Sequence, residues 1–453
     1  MKWMNSSCRP LVEAIVASFR DPAELPRQRL RTFTKRDWQA TEFWLDTSGL
    51  ALYFLDRVKA IGAADSVDGR ILHRLEEKRA HNARRFADQF REFAELNKQF
   101  RAAGVCYANV KGFTLFPHTC PDLTARVQSD FDFLVESGQL SRCRALLEQR
   151  GYILTAATAR TWEFKTPVSQ RASIEGQYQP GQPRSVELHF SLDGAVRAND
   201  KLIYDPHLDR LGEWKWGKEC FPALRPSDQL IGQALHIFGH LRNEHTRPSW
   251  LLEFRRHALA RRGDRSFWNE VRDAAVTSRE VSIALSLAAF LSSDLFGESE
   301  TPALAEWPGN ALPPLVADWR HRYGRRAVLA DVPGTKLYLL LERALQGDVR
   351  VPGRTQRLRR VFPIHLPARI MPLAPRHSPR ERFLSDLMQL RFLLYRTDFH
   401  IRQGIVYALE AWRCNRVWRS YSDCYGNPSS IETLGLRYGQ AHNGASSAAS
   451  DTK

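Results

Sequence analysis

Apolar positions recur every three or four residues from Arg70 to Ala103. Leu72, Leu75, Phe86, Phe90, Phe93, Leu96 and Phe100 fall on one face of a long amphipathic helix, and Gly104 is its stop signal. The period then changes. Val105–Val110 reads as a short strand ended by the turn Lys111-Gly112, and a loop rich in Pro, His and Thr leads to a second strand at Ser129–Val135. Gln139–Gln149 is a helix with Leu140, Cys143, Leu146 and Leu147 inward, closed at Gly151. Strand-like pieces follow at Tyr152–Thr155, Thr161–Lys165 and Ser185–Phe190. Before this unit, residues 1–66 carry helical patches, among them Trp38–Leu55.

After about residue 200 the pattern is helical: Gln229–Arg242, Trp250–Arg261, Phe267–Thr277, Val281–Phe296, Leu315–Arg322 and Thr335–Gln346, with two further helices at Arg382–Tyr395 and Phe399–Tyr421. The expected class is α+β, a small mixed-sheet core with N-terminal helices and a larger C-terminal helical region. The expected division is a helical segment over 1–100, the α/β core over 101–200, a helical domain over 201–347, a basic arm over 348–382, C-terminal helices over 383–440 and a disordered tail over 441–453.

Within the second strand, Ser129-Asp130-Phe131-Asp132-Phe133-Leu134-Val135, two carboxylates stand two residues apart. Alternation sends Asp130 and Asp132 to one face and the phenylalanines to the other. Like charges on one face repel, and a divalent cation between them removes the conflict. Upstream, Lys111-Gly112 ends a strand, where a glycine admits a phosphate close to the backbone and a lysine neutralises it. Arg126 is four residues before Asp130, placed to reach a triphosphate. Downstream, Val186-Glu187-Leu188-His189 offers a third acid with His189 on its face. Three acids on neighbouring strands suit a two-metal site, one ion on the triphosphate and one activating a hydroxyl. His236 and His240, one helical turn apart, have a spacing that can bind zinc, but no Cys or carboxylate completes a zinc pattern. Cleft lining and core packing are the competing readings for them, and Glu253 would lie near that cleft, paired with Arg247 or a histidine.

Composition adds a partner class. The net charge is +16, with 43% hydrophobic and 26% charged residues, as in a soluble globular protein. Residues 350–382 hold nine arginines and six prolines against one acid, Glu381, which marks an extended basic arm for an anionic partner. No apolar run reaches the roughly 18–20 residues of a membrane span, and Leu11–Phe19 is followed by no leader-type cleavage site. Seven scattered cysteines without a C-x-x-C pair indicate reduced thiols and a cytoplasmic location.

Val110-Lys111-Gly112, Arg126, the Ser129–Val135 run, Gly151-Tyr152 and Glu187-Leu188-His189, followed by His236, His240 and Trp250-Leu251-Leu252-Glu253, resemble the uncharacterised bacterial nucleotidyltransferases of the polymerase-beta-like superfamily. The resemblance spans about residues 75–300. It implies Mg²⁺ (or Mn²⁺) held by Asp130, Asp132 and Glu187, and an NTP co-substrate met by Lys111, Gly112, Arg126, Ser129 and His189. The implied reaction is transfer of a nucleoside monophosphate to a hydroxyl of a sugar, small molecule, protein or RNA. Where the superfamily has Gly-Ser this chain has Gly112-Phe113, which leaves phosphate contact to Lys111 and backbone amides, and Glu253 stands where the closer family has Asp. The rival expectation is a catalytically degenerate transferase fold that binds or scaffolds an anionic partner; a third is transfer of phosphate or pyrophosphate with the same metal geometry.

Overall fold

The computed structural model describes residues 9–22, 24–158, 160–167, 174–182, 184–190, 208, 210–297, 312–346 and 379–425. Most of the basic arm and the whole tail 441–453 lie outside them. Four helices, α1 (Arg9–Ala17), α2 (Glu24–Leu30), α3 (Lys35–Ser48) and α4 (Ala51–Ala60), precede the long α5 (Gly69–Ala102). Helix α3 starts at a reciprocal cap, Thr34 with Asp37, and ends at Gly49 in the left-handed region, φ 73°. Helix α5 starts where Asp68 accepts from the Arg70 and Ile71 amides. It ends where the Val105 amide reaches back to the Phe100 carbonyl, 3.0 Å, with Gly104 at φ 66°.

The sheet contains β1 (Tyr107–Val110), β2 (Asp130–Val135), β3 (Ile153–Ala157), β4 (Thr161–Lys165), β5 (Ser185–Phe190), β6 (Leu211–Trp216) and β7 (Glu219–Leu224). Among the described residues their order is β3-β4-β5-β2-β1-β7-β6. The β2/β5 and β1/β7 pairs are parallel and the others antiparallel. Helix α6 (Leu140–Gln149) follows β2 and turns into β3 through Gly151, φ 82°.

Two differences from the sequence-based expectation have physical causes. First, residues 211–224 are not helical: β6 and β7 form a hairpin with Gly217, φ 59°, in its turn. Pro222 removes an amide from β7, and the strand meets β1 in register at Asn109↔Ala223. The Asn109 side chain adds a cross-strand bond of its own, donating to the Pro222 carbonyl at 2.8 Å. The hairpin sets Trp216 5.3 Å from Phe90 and Phe221 5.3 Å from Phe93, so it covers the aromatic stripe of α5. Second, the two expected C-terminal helices are one, Pro379–Tyr425. Asp398 bonds Arg402 one turn on at 2.7 Å, and Phe399 is buried, so no break forms there.

A helical layer completes the fold: α7 (Pro226–Leu241), α8 (Pro248–Ala260), α9 (Arg265–Thr277) and α10 (Arg279–Phe296), followed by Pro314–Trp319, which continues through a π-turn over Arg320–Gly324, and by Tyr338–Gln346. One continuous apolar core joins this layer to the sheet and to α1–α5. The architecture is the expected α+β fold. Among the described residues no helix is long and apolar enough to cross a membrane. Cys106, Cys120, Cys143, Cys220 and Cys414 are free thiols.

His257 on α8 is buried, with Nδ1 3.0 Å from Gln233 Oε1. Burial, then Arg261, pushes its pKa down to about 3. The unfolded chain therefore binds the proton first as pH falls, and stability is full above the ordinary histidine value and lost below it. Chemical denaturation of the wild type and His257→Gln will show their stability difference shifting against the wild type by roughly 2 kcal/mol between pH 7 and pH 5.

Candidate active site

Strand β2 separates two environments. Phe131 and Phe133 are buried in the core, Phe133 stacking on Phe93 with ring centroids 6.2 Å apart. Asp130 and Asp132 take the other face. The parallel register sets Asp132 beside Glu187 on β5, and the antiparallel one sets it beside Val110, the residue before Lys111.

Asp132, 4% exposed, is the hub. Its Oδ1 is 2.7 Å from Lys111 Nζ and 2.8 Å from His189 Nε2. His189 Nε2 also lies 3.4 Å from Glu187 Oε2, and its Nδ1 is 3.2 Å from Thr161 Oγ1 on β4. Asp132, Glu187 and His189 each present a ligand atom within 4.8 Å of the others, the one such group among the described residues. Asp130 stands two residues away on the same face, its carboxylate 3.4 Å from Ser129 Oγ, and is not part of that close triad.

The acids perturb one another. Burial acts to raise the Asp132 pKa, but Lys111 and His189 overcome it and hold the carboxyl well below its usual range. Asp130 is shifted up, by burial and then by Asp132, and Glu187 is shifted up by burial, Asp132 and Asp130. Burial works against the Lys111 charge, yet Asp132, Asp130 and Glu187 together raise its pKa. One ammonium, bonded to Asp132 and acting on Asp130 and Glu187 from further off, leaves a deficit of positive charge, and hard oxygen donors plus an imidazole suit a divalent cation. The residues fit a metal on that ground.

Lys111 itself has φ 57°, a conformation that L side chains rarely adopt. The next residue, Gly112, has φ 49°, and a Cβ there would approach Gln128 Nε2 to 2.5 Å. The turn therefore needs glycine at 112. Gln128 is fixed in turn: it donates to the Asp130 carbonyl, accepts from Arg126, and its own carbonyl receives Gln89 Nε2 at 3.0 Å. Asn82, two turns earlier on α5, donates to the carbonyls of Thr124 and Arg126 at 2.7 and 3.0 Å. These α5 residues are buried and polar inside an apolar stripe, a signal present in the sequence as Asn82 and Gln89 at helical spacing.

Arg126 does not project freely. Its Nε bonds Glu253 Oε1 at 3.0 Å, and the same oxygen accepts from Tyr53 at 2.8 Å. The expected Glu253 partners, Arg247 or a histidine, are thus replaced by Arg126 and Tyr53, because Glu253 meets the loop before β2 and α4. Burial disfavours the Arg126 charge, but Glu253 reverses this and raises its pKa. The cleft is lined by Lys111, Gly112, Arg126, Ser129, Asp130 and Asp132 from the sheet side, by Asp46, Gly49 and Gln177, and by His236, Arg247, Ser249, Trp250 and Glu253 from the helical layer. Gly49 abuts Ser249 so closely that a Cβ would fall 2.4 Å from its Oγ. His236 and His240 meet each other and Trp250 edge-on or tilted, centroids 4.4–4.6 Å apart, and belong to no ligand cluster among the described residues.

Arg247 escaped the sequence reading as a site residue. It makes no ion pair among the described residues, and its guanidinium sits 5.5 Å from the Trp250 ring. Burial, then Arg126, lowers its pKa. Arg85 on α5 is similar: it is buried, its Nη1 has no hydrogen-bond partner, and burial lowers its pKa to about 10 against the pull of Asp130.

An α+β fold that carries adjacent acids on paired strands, opposite a helical layer bearing basic groups, has the layout of a nucleotidyltransferase. The sequence profile of the uncharacterised nucleotidyltransferase family matches residues 34–297, more than half of the chain, and the chain belongs to that family. No curated protein matched in the comparison.

Phe113, where the superfamily carries serine, is buried with its ring 4.7 Å from Phe93 and 5.6 Å from Phe90. Phe113→Ser will lower stability by about 3–5 kcal/mol, through lost packing and a buried hydroxyl, without raising any NTP affinity. Urea unfolding paired with NTP titration measures both.

Proposed function

We propose that the protein is a Mg²⁺-dependent (or Mn²⁺-dependent) enzyme transferring a nucleoside monophosphate from an NTP to an acceptor hydroxyl. The observation that carries this reading is a cleft lined by Asp130 and Asp132, with Glu187 in register beside Asp132, faced by Arg247, which has no carboxylate partner among the described residues. Asp132, Glu187 and His189, with Asp130 beside them, would hold the metal. When bound it supplies charge neutralisation on the triphosphate and lowers the pKa of the attacking hydroxyl.

The chain's own groups do the rest. The Gly112 turn lets phosphate oxygens approach backbone amides, with Ser129 at the mouth of the cleft. Lys111 stands at the boundary between the acids and the phosphates, and its ammonium can serve either. Arg247 faces the cleft as the cation for the leaving pyrophosphate. Arg126, neutralised by Glu253, holds the loop that presents Asp130 and contributes a guanidinium edge to the wall. Phosphoryl transfer asks for positioning and charge stabilisation more than for covalent chemistry, which matches this inventory. The acceptor class stays as broad as sugars, small molecules, proteins and RNA ends, and residues 350–382 are a candidate surface for an anionic one.

The experiment is Mg²⁺-dependent binding and turnover of each α-labelled NTP, with pyrophosphate release as readout. Asp132→Asn will cut turnover by at least about 100-fold, and Arg247→Gln will weaken NTP binding while leaving the melting temperature near that of the wild type. Arg126→Gln, in contrast, strands a buried Glu253 and costs about 3–5 kcal/mol of stability. NTP binding that ignores both Asp132→Asn and Arg247→Gln sinks the reading. Binding to an anionic partner that survives those changes and is lost on neutralising residues 350–382 puts the scaffold reading in its place.

A further inference from the structure

The helix Pro379–Tyr425 is anchored on one side only. Phe399 and Trp418 are buried, Trp418 Nε1 donates to Asp318 at 2.9 Å, and Glu410 accepts from Tyr323 and Arg326 at 3.1 Å each. These contacts fix which face points outward. On that outward face lie Leu387, Leu390, Leu394, Ile401, Ile405 and Leu409, each between 48% and 63% exposed. Scattered exposed leucines are ordinary, but an aligned stripe of this length is not. At about 1.5 Å per residue its ends, Leu387 and Leu409, stand about 33 Å apart along the helix, and helical phase keeps all six within about a third of its circumference.

The stripe reads the same in both directions. About a point between Thr397 and Asp398, Leu394 mirrors Ile401, Leu390 mirrors Ile405, and Leu387 falls one position from the mirror of Leu409. A two-fold interface requires a patch complementary to itself, and an antiparallel copy of this helix meets that requirement along its whole length. We infer that this face is the contact between two copies of the chain, packed antiparallel about Thr397 and Asp398.

Charge supports that occupant over a lipid surface. Asp398, bonded to Arg402 at 2.7 Å, interrupts the stripe at its centre. On a membrane the carboxylate would be pressed toward the acyl boundary at a cost. At a two-fold axis the two Asp398 carboxylates come alongside each other, and each has its own Arg402 and, about 7.5 Å along the axis, the partner subunit's Arg402, so one cluster of two acids and two guanidinium groups sets the register of the pair. Six half-exposed Leu and Ile side chains per copy supply on the order of 1,000 Å² across the pair, near the lower edge of stable interfaces before flanking residues are added.

The test uses the full chain. Light scattering and sedimentation will give twice the chain mass for the wild type. The double variant Leu394→Glu with Ile401→Glu will raise the dimer dissociation constant on the order of 100-fold or more, with an unchanged far-UV circular dichroism spectrum because both positions are exposed on the single chain. Thr397→Cys will cross-link to itself on oxidation, identified by mass spectrometry, whereas Leu387→Cys will cross-link only to Leu409→Cys. A wild type that is monomeric at every concentration, a dimer indifferent to the double variant, or a Leu387→Cys self-link each overturns the inference. So does a monomer that binds phosphatidylserine vesicles through the same two residues.

Discussion

A carboxylate buried at the middle of a sheet is expensive, because desolvation penalises its charge by several kcal/mol unless partners repay it. Asp132 is such a group, and the conformations around it follow from keeping it ionised. Lys111 reaches Asp132 Oδ1 from the end of the neighbouring strand through a backbone that L residues avoid, a strain of about 1–2 kcal/mol. An ion pair at 2.7 Å in a poorly hydrated site offsets that strain. His189 comes to the same oxygen from the other neighbouring strand, held by Thr161 one strand further out. Four adjacent strands therefore contribute to the environment of one carboxylate, and β1, β2 and β5 have to be paired in their observed register for it to exist.

The same constraint explains the double character of α5. Its aromatic residues pack against the sheet and the β6–β7 hairpin, as any amphipathic helix would. The loop before β2 is irregular, however, and its carbonyls need donors where water is scarce. Asn82 and Gln89 supply them, and Gln128 passes the order on to Gly112 and Asp130. Polar residues within the apolar stripe are thus tied to the placement of the carboxylates some forty positions later in the chain.

That division also marks what the sequence could and could not disclose. Alternation gave β4 and β5 at their observed bounds, and the order of Asp130, Asp132, Glu187 and His189 was readable because each sits at a strand position whose facing is set by period two, with Lys111 in the turn just past β1. The β6–β7 hairpin was hidden by Gly212 and Pro222, which weaken a strand signal, and its pairing with β1 relies on an Asn109 side chain that no periodicity reports. Thr397-Asp398 looked like a helix break, but the Asp398–Arg402 bond runs along the helix and supports continuity. The Glu253–Arg126–Tyr53 junction joins residues 127 and 200 positions apart. Nothing local in a single sequence encodes a contact of that range, so Arg126 read as a free phosphate ligand.

The junction changes how positive charge is apportioned in the cleft. Lys111 is engaged by Asp132 and Arg126 by Glu253, and each pair is nearly neutral when seen from the cleft. Arg247 alone among these three has an aromatic face and, among the described residues, no carboxylate bonded to it, and a half-buried guanidinium in that state is stabilised by an arriving anion. Because Glu253 also bonds Tyr53 on α4, the carboxylate ties the helical layer to both the N-terminal helices and the loop before β2, which fixes the distance across which Arg247 faces the acids. On the proposed reading, the unusual glutamate acts through geometry: its longer side chain reaches the Arg126 and Tyr53 donors from α8, and the cleft keeps one uncompensated cation on one wall and one undercompensated acid cluster on the other. An NTP–metal complex, negative along its phosphates and positive at its ion, is the kind of ligand that neutralises both walls at once.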